Sequence, residues 1–211
     1  LKAPLRNIKS FAQLLQKMYR DKLDGDGMTF LDFITGGVSK FDNLINDLLQ
    51  YSRVSRRAMP FEEIDLNEII EEVTVGTYIM ASKDDVEIKS QKLPKISGNP
   101  HRIEQLIQNL VDNAVKFKQP GVKAKIAIKV KTDKETIQLS VIDNGIGIEK
   151  QYSERIFQLF QKLHADSEYS GTGLGLSICK KIVERHQGRI WMESDGLNKG
   201  TSFHIVLPKN L

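Results

Sequence analysis

Three stretches of the sequence decide the fold: Asn109-Leu110-Val111-Asp112-Asn113-Ala114-Val115-Lys116-Phe117, Asp143-Asn144-Gly145-Ile146-Gly147 and Gly171-Thr172-Gly173-Leu174-Gly175-Leu176. The first has helical apolar spacing and places two amides and an ammonium on one flank, since Asn109, Asn113 and Lys116 fall at i, i+4 and i+7. The second follows an apolar strand, and the third precedes an amphipathic helix. Such an alternation predicts an α/β domain with a polar site.

The sequence around these stretches alternates between helical and strand periodicity. The spacing of apolar residues predicts helices over 66–81, 100–117 and 173–186, and strands over 86–89, 124–132, 136–143, 189–193 and 201–207. Asn99 followed by Pro100 is a favourable helix start, because an amide can cap the first turn and proline suits the first helical position. Gly196 and Gly200 fall in the turn between the last two strands.

Residues 1–58 have a different pattern, that of a helical hairpin. Apolar residues spaced by three and four predict one helix over 1–20 and a second from Met28 to about residue 57, joined by a polar, glycine-bearing turn at 21–27. Two helices cannot bury both apolar faces alone, so the sequence predicts a homodimer through residues 1–58 that forms a four-helix bundle. A linker follows at 59–65, where Pro60 ends the helix, and the α/β domain spans 66–211.

The predicted fold class is therefore α+β: a helical hairpin forming a dimeric four-helix bundle, then an α/β two-layer sandwich. The net charge of +4 resides in residues 1–58, which hold 10 Lys and Arg against 6 Asp and Glu. Arg53, Arg56 and Arg57 make too short a basic cluster to predict nucleic-acid binding. No apolar run approaches the length of a membrane span, and the lone Cys179 fits a reducing cytoplasm.

The polar flank of the 100–117 helix suits magnesium and phosphate. Magnesium prefers oxygen ligands and keeps several waters, so the amide oxygens of Asn113 and Asn109 are candidate ligands. Lys116 offers a positive charge to phosphates. A solvated polar helix flank explains these residues equally well when they are taken alone.

Asp143 ends an apolar strand and is followed by two glycines. Its carboxylate can accept a hydrogen bond from an adenine amino group, and Gly145 and Gly147 would let the backbone approach the ring closely. Taken alone, Asp-Asn-Gly is more simply a strand-to-loop turn.

Gly171, Gly173 and Gly175 precede a helix, and helix N-terminal amides suit phosphate. This run is neither a P-loop nor a dinucleotide fingerprint, so alone it is a weak signal. The Phe157-Gln158-Leu159-Phe160 segment and the polar stretch that continues to Ser170 are long enough to form a mobile lid. Together the motifs predict a site for a magnesium-bound nucleoside triphosphate.

The order and spacing of these motifs closely resemble the catalytic core of a bacterial-type sensor histidine kinase. Asn-x₃-Asn-x₂-Lys, Asp-x-Gly-x-Gly, Phe-x₂-Phe and Gly-x-Gly-x-Gly match the N, G1, F and G2 boxes of that family. Gly200-Thr201-Ser202-Phe203 resembles its last strand, and the opening Leu1-Lys2-Ala3-Pro4 resembles the segment after its phospho-accepting histidine. The resemblance covers nearly the whole chain.

The resemblance implies ATP and Mg2+ as cofactors, with Asn109 and Asn113 at the metal and Lys116 at the phosphates. It implies adenine binding by Asp143, Gly145, Gly147 and the nearby Thr201, and a phosphate-side loop formed by Gly171, Gly173 and Gly175. Lys162, just past the F box, is a candidate for the terminal phosphate, although a solvated lysine is as good an explanation. The implied partners are a response-regulator receiver domain and an upstream sensor domain.

Two departures from related ATPases bear on the reaction. Gyrase, MutL and heat-shock chaperone ATPases typically carry a glutamate where this chain has Asn109, and an amide cannot activate water. The accepting histidine of the resembled family would stand two residues before Leu1, so this sequence is expected to bind ATP without phosphorylating itself. His101, His164, His186 and His204 are poor substitutes. Ala3 stands where phosphatase-active members carry Thr or Asn, which suggests weak phosphatase activity.

Two other functions remain open at this point. A non-catalytic nucleotide-binding dimerisation module would keep the fold but lose phosphoryl transfer. An ATP-driven clamp of the gyrase type is disfavoured by Asn109 and by the amino-terminal helical hairpin.

Overall fold

The computed structural model describes residues 2–56, 60–82, 84–163, 169 and 171–210. The chain forms two compact units, residues 1–50 and residues 51–211. Within the described ranges, no helix has the length and apolar character that crossing a membrane requires.

The first unit is a helical hairpin, as predicted. Helix α1 spans Lys2–Tyr19, a 3-10 turn spans Arg20–Lys22, and α2 spans Gly25–Arg56 and continues into the second unit. Helix α2 starts three residues before the predicted Met28, because Oδ1 of Asp24 accepts the Gly27 N–H at 2.8 Å and caps the first turn. Many large apolar side chains of both helices are exposed: Ile8, Phe11, Leu14, Leu15, Met18, Phe30, Phe33, Ile34, Phe41, Leu48 and Leu49.

The second unit is a two-layer α/β sandwich. Its helices are α3 (Leu66–Met80), α4 (Pro100–Lys116) and α5 (Gly175–Arg185). Its strands are β1 (Glu62–Asp65), β2 (Val86–Ser90), β3 (Lys95–Gly98), β4 (Ala124–Thr132), β5 (Thr136–Asp143), β6 (Arg189–Glu193) and β7 (Ser202–Pro208).

Five strands form a mixed sheet in the order β2-β4-β5-β7-β6. Strands β2 and β4 are parallel, and the other neighbours are antiparallel. One face of the sheet and the apolar stripes of the helices make the core, whose fully buried side chains include Leu106, Leu110, Ile128, Leu139 and Ile182. The helical region followed by a sandwich confirms the predicted fold class, while the dimeric bundle stays a prediction.

Strands β1 and β3 are not evident from the sequence. They form a separate antiparallel pair in which Ile64 lies opposite Ile96, and both side chains are buried. At four residues each they are too short to show a clear period. Strand β1 occupies part of the predicted 59–65 linker, and residues 57–59 lie outside the described part. The division at residue 58 stays a prediction.

The start of α5 and the end of α4 also differ from their predicted positions. Helix α5 begins at Gly175 instead of residue 173, because Gly173 has φ of +74°, which a right-handed helix cannot contain. Helix α4 ends at Lys116, one residue before its predicted end, and the half-exposed Phe117 is its C-cap.

Candidate nucleotide-binding site

Helix α4 holds the three polar residues of the first motif on one half-buried flank. Its start is fixed by Asn99, whose Oδ1 accepts the Arg102 N–H at 3.1 Å, with Pro100 in the first turn. Its buried stripe includes Leu106, Ile107 and Leu110. Because that stripe packs into the core, the flank with Asn109, Asn113 and Lys116 lies at the edge of the helix layer.

Asp143 lies at the end of β5 and is joined to β7 by hydrogen bonds. Its Oδ1 accepts the N–H groups of Gly145 at 2.8 Å and Thr201 at 3.1 Å, and its own N–H donates to the Thr201 carbonyl at 2.8 Å. Burial raises the pKa of the Asp143 carboxyl, and these two N–H donors oppose that shift. Within the described part of the chain its Oδ2 accepts no hydrogen bond, so one carboxylate oxygen is available.

The loop after Asp143 is packed tightly against other backbone segments. A side chain at Gly145 would overlap the Phe117 carbonyl, and one at Gly147, with φ of +69°, would overlap the Gly196 carbonyl. The Ile146 N–H donates to the Phe117 carbonyl at 2.9 Å, which joins this loop to the end of α4. These glycines are therefore required by the protein's own packing, and their approach to an adenine ring stays a prediction.

The glycine-rich loop before α5 faces the flank of α4. A methyl group at Gly171 would lie 2.7 Å from Nζ of Lys116. The Asn109 side-chain amide donates to the Gly175 carbonyl at 3.5 Å, so the first residue of α5 lies beside the first residue of the motif. The N–H groups of a first helical turn have no partner within the helix, which makes this end of α5 suitable for an anion.

The aromatic segment Phe157-Gln158-Leu159-Phe160, which precedes this loop in the sequence, also packs against it. A Cβ at Gly173 would come within 2.9 Å of the backbone of Phe160 and of Gln161. Phe157 is buried and meets Phe203 edge-on, with ring centroids 6.4 Å apart. Lys162 is exposed one residue beyond Gln161, and its contact with a terminal phosphate stays a prediction. Most of the predicted lid, including His164, lies outside the described residues.

Sequence patterns did not predict the contacts that two residues, Phe117 and Gln119, make at this site. The Phe117 ring packs against Tyr169 at 4.9 Å and carries Nζ of Lys116 over its face at 4.6 Å. The Gln119 amide donates to the carbonyls of Asn144 at 3.0 Å and Gly145 at 3.1 Å, and so clamps the loop after β5. The position of Phe117 directly after Lys116 could have indicated its role, whereas no local sequence pattern indicates the role of Gln119.

The buried Cys179 and three of the histidines have structural surroundings. Burial raises the pKa of the Cys179 thiol to about 12, so this thiol stays protonated and unreactive in the folded chain. His186 is buried and bonded through both ring nitrogens, His101 is exposed on the first turn of α4, and His204 lies on β7 beside Trp191. None of these three lies among the motif residues.

The residues present fit a phosphate-bound magnesium ion better than a preformed metal cage. No cluster of three or more His, Cys, Asp or Glu side chains with metal-binding geometry occurs among the described residues. Over the same residues the Asn113 side chain makes no hydrogen bond, which leaves its amide oxygen free. Magnesium commonly takes only one or two protein ligands and completes its shell with phosphates and water.

Comparisons with known proteins identify the family of this chain. Residues 98–211 match the family model described as histidine kinase-, DNA gyrase B- and HSP90-like ATPase. Cyanobacterial phytochrome A of Nostoc sp. is 38% identical over 208 residues, which is 99% of this chain and 27% of that protein. The chain therefore spans about a quarter of the length of the curated relatives that it matches.

Two solved structures show the same folding pattern. The catalytic domain of histidine kinase ThkA is 33% identical and superposes with a TM-score of 0.62 over 72% of this chain and 100% of that one. Histidine kinase ThkA in complex with response regulator protein TrrA is 27% identical, with a TM-score of 0.70 over 99% of this chain and 59% of that one. The motif residues, their placement around the end of α4 and these similarities agree, and the chain belongs to the histidine kinase-, DNA gyrase B- and HSP90-like ATPase family as the catalytic core of a sensor histidine kinase.

Proposed function

We propose that this chain binds Mg-ATP and supplies its γ-phosphate to a histidine, from which it passes to an aspartate of a response regulator. The observation that supports this best is the convergence of the motifs at the end of α4. Asn109 contacts the first residue of α5, Lys116 faces Gly171, and the Phe117 carbonyl binds the loop after Asp143. Residues that lie far apart in the sequence thus surround one site.

The adenine end of this site is Asp143. Its free Oδ2 would accept a hydrogen bond from the exocyclic amino group of adenine, which guanine lacks at that position. Thr201 holds the other carboxylate oxygen through its backbone N–H, so it acts by fixing the orientation of Asp143. Gly145 and Gly147 would complete this wall.

The phosphate end would be formed by Lys116 and the start of α5. The ammonium and the first-turn N–H groups offer positive charge, and Gly171, Gly173 and Gly175 keep the loop close to them. Lys162 is a further proposed contact to the terminal phosphate. Asn113, with Asn109, would hold the magnesium ion, which neutralises charge on the phosphates when it is bound.

The chemistry of Asn109 favours transfer to another group over hydrolysis. An amide has no proton-accepting group at neutral pH, so it cannot act as a general base toward water. We propose that the acceptor is the imidazole that the resemblance places just upstream of Leu1. The resemblance gives the acceptor position to none of His101, His164, His186 and His204, so the present sequence should bind ATP without phosphorylating itself.

The proposed partners follow from the hairpin and from the relatives. The exposed apolar faces of α1 and α2 support a homodimer through residues 1–58. The ThkA complex supports a response-regulator receiver domain as the phosphoryl acceptor, and the greater length of the phytochrome relatives supports an upstream sensor domain. A requirement for ATP and the single cysteine support a cytoplasmic location, whether the whole protein is soluble or membrane-anchored.

Calorimetric titration with ATP, with and without magnesium, tests the nucleotide site. We expect magnesium-dependent binding that Asn113→Ala weakens by at least about tenfold, because the metal loses a protein ligand. Absence of binding by the folded chain would contradict the proposal and favour a dimerisation module that has lost its ligand.

Transfer of phosphate to a histidine tests the second half of the proposed function. A longer form of the chain that includes the predicted histidine should acquire acid-labile label from γ-labelled ATP, whereas the present chain should acquire none. ATP binding without any transfer by the longer form would favour the alternative, a non-catalytic nucleotide-binding dimerisation module. Ala3→Thr should raise dephosphorylation of the cognate regulator, and an unchanged rate would contradict the role proposed for this position.

A further inference from the structure

The five-stranded sheet has an outer face that the nucleotide site does not use. On β4, β5, β6 and β7 this face is formed by residues that alternate with the apolar core residues, such as Lys129, Gln138, Trp191 and His204. The residues of the proposed nucleotide site lie on the other side, at the ends of α4 and α5. A partner on the outer face would therefore leave that site accessible.

Strand register places eight side chains of this face in two transverse rows. The rows are Lys129, Ser140, His204, Trp191 and Lys131, Gln138, Val206, Arg189. On β4, Lys129 and Lys131 end the two rows. On β6, Trp191 ends the first row and Arg189 ends the second. The residues between them are shorter and uncharged or, for His204, packed against Trp191 with ring centroids 5.2 Å apart. We call these eight residues the basic trough.

Among the described residues, the three cations of the basic trough form no close ion pair. Within the described residues, Lys129, Lys131 and Arg189 have no carboxylate within 4.0 Å, and all three are exposed. The nearby Glu193 attracts Lys131 at longer range, and its single negative charge leaves this face with a positive balance. Its Oε1 accepts the Trp191 indole N–H at 3.0 Å and its Oε2 lies 3.5 Å from Nε2 of His204. The Arg189 guanidinium lies over the Trp191 ring at 4.5 Å, which holds it in place with its N–H donors available.

The width of the basic trough matches an α-helix. Strands β4 and β6 are three neighbours apart, so the two cationic walls are separated by about 14 Å at the usual strand spacing. An α-helix with its side chains is about 10–12 Å across. A helix lying along the strands could rest on Gln138 and Val206 and present carboxylates to both walls.

Other anionic ligands fit less well. A nucleic-acid base would need a free aromatic face, but the Trp191 ring is already packed against His204 and Arg189. A lipid surface would need apolar side chains to insert, and none of the large exposed apolar residues of the described chain lies on this face. A second copy could offer the acidic face of α3, with Glu68, Glu71 and Glu72. That face lies in the helix layer, so such contacts would run head to tail and would not close into a dimer.

We propose that the basic trough is a docking surface for an acidic α-helix of a partner protein. Its occupant carries Asp or Glu on two flanks and small residues between them. Docking depends on Lys129 and Lys131 on one wall and Arg189 on the other, and it proceeds with or without bound nucleotide.

The single tryptophan of the chain makes a direct test, because Trp191 lies in the basic trough. The probe is an alanine-based helical peptide about 20 residues long with glutamates on two flanks, and the comparison peptide has the same residues shuffled around the helix. We expect a saturable change in Trp191 fluorescence with the flanked peptide, at an affinity at least about tenfold above that of the shuffled one. Added Mg-ATP should leave the affinity unchanged within about twofold.

Charge-reversal variants then distinguish specific docking at the basic trough from general electrostatic attraction. Lys129→Glu with Lys131→Glu should weaken binding of the flanked peptide at least about tenfold, and Arg189→Glu should weaken it as well. The control, Lys150→Glu with Lys180→Glu, changes the net charge equally at exposed positions elsewhere and should leave binding within about twofold. Unchanged melting temperatures would show that the variants are folded.

Several outcomes would overturn the proposal. Equal binding of the two peptides, or equal weakening by the control variant, would show that the basic trough is an ordinary charged surface. Tighter binding of a thymidine oligonucleotide or of phosphatidylserine vesicles would assign it to another class of ligand. Head-to-tail assembly in sedimentation that Glu68→Lys with Glu71→Lys abolishes would assign it to a second copy of this chain.

Discussion

Asp143 is a half-buried carboxylate with one oxygen engaged and one free. Two backbone N–H groups hold Oδ1, and burial raises the pKa of the group. Because these hydrogen bonds hold the carboxyl group in one orientation, the direction of the other oxygen is also fixed. This arrangement makes Asp143 the residue at which base recognition can be tested with the least disturbance of the fold.

Asp143→Asn should weaken ATP binding at least about tenfold. The asparagine oxygen can keep the two backbone N–H donors, but its NH₂ group replaces the free carboxylate oxygen and cannot accept from adenine. Calorimetry measures the loss, and Asp84→Asn, at an exposed position on the same unit, is the control. Equal affinity of the Asp143→Asn variant and the wild-type protein would remove Asp143 from the adenine contact.

Gly200 and Gly121 make a matched pair for measuring backbone crowding near the site. Both have left-handed φ, +73° and +71°, but a Cβ at Gly200 would overlap the Asp143 carbonyl, whereas nothing lies within 4 Å of one at Gly121. Gly121→Ala should therefore cost only the conformational strain, about 1 kcal/mol of unfolding free energy. Gly200→Ala should cost about 3 kcal/mol or more, because the loop must shift. Urea unfolding of both variants gives the difference, and similar losses would mean that the loop yields easily.

At the level of elements, α4 and α5 are joined at the ends opposite the proposed site by His186. Its Nδ1–H donates to the Ile182 carbonyl at 2.8 Å, and its Nε2 accepts the Asn99 N–H at 3.0 Å, directly before α4. The Phe61 ring packs against it at 5.0 Å. This pattern requires the neutral imidazole, and burial lowers the pKa of His186.

The chain should therefore lose stability as the pH falls below about 6.5, where the unfolded histidine takes up a proton that the folded one resists. The contribution is present above that pH and is lost as the pH approaches the lowered pKa of the folded state. His186→Phe keeps the contact with Phe61 but does not titrate. Chemical denaturation of both proteins between pH 7 and pH 5 should show a decline in the wild type that the variant lacks, and parallel curves would contradict the assignment.

The hairpin formed by α1 and α2 has more exposed apolar surface than a monomeric protein usually has. Phe33 is 75% exposed and Phe11 67% exposed, on α2 and α1 respectively. A second copy of the hairpin would cover such a surface in a four-helix bundle.

Phe33→Lys should convert a dimer to a monomer in sedimentation velocity, because it would place an ammonium in the dimer core. Ile79→Lys is the matched control, since Ile79 is 79% exposed but lies on α3 of the other unit. A wild-type chain that is monomeric at about 50 μM, or a control that dissociates equally, would contradict the dimer.

Local patterns in the sequence were sufficient to predict several elements of the fold. The period of three and four residues defined α1 and α4, Asn99-Pro100 fixed where α4 begins, and alternation defined the β4–β5 hairpin almost to the residue. The motif residues were also visible, since Asn109, Asn113 and Lys116 need only helical geometry to share a flank.

The contacts between these elements are visible only in the folded chain. The Thr201 N–H reaches Asp143 because β7 pairs with β5, and Asn109 reaches Gly175 because α4 and α5 pack side by side. The folded chain also shows that β1 pairs with β3, that Gln119 clamps the loop after β5, and that cations line the outer face of the sheet. Such contacts depend on strand register and helix packing between residues far apart in the chain, and no local periodicity encodes them.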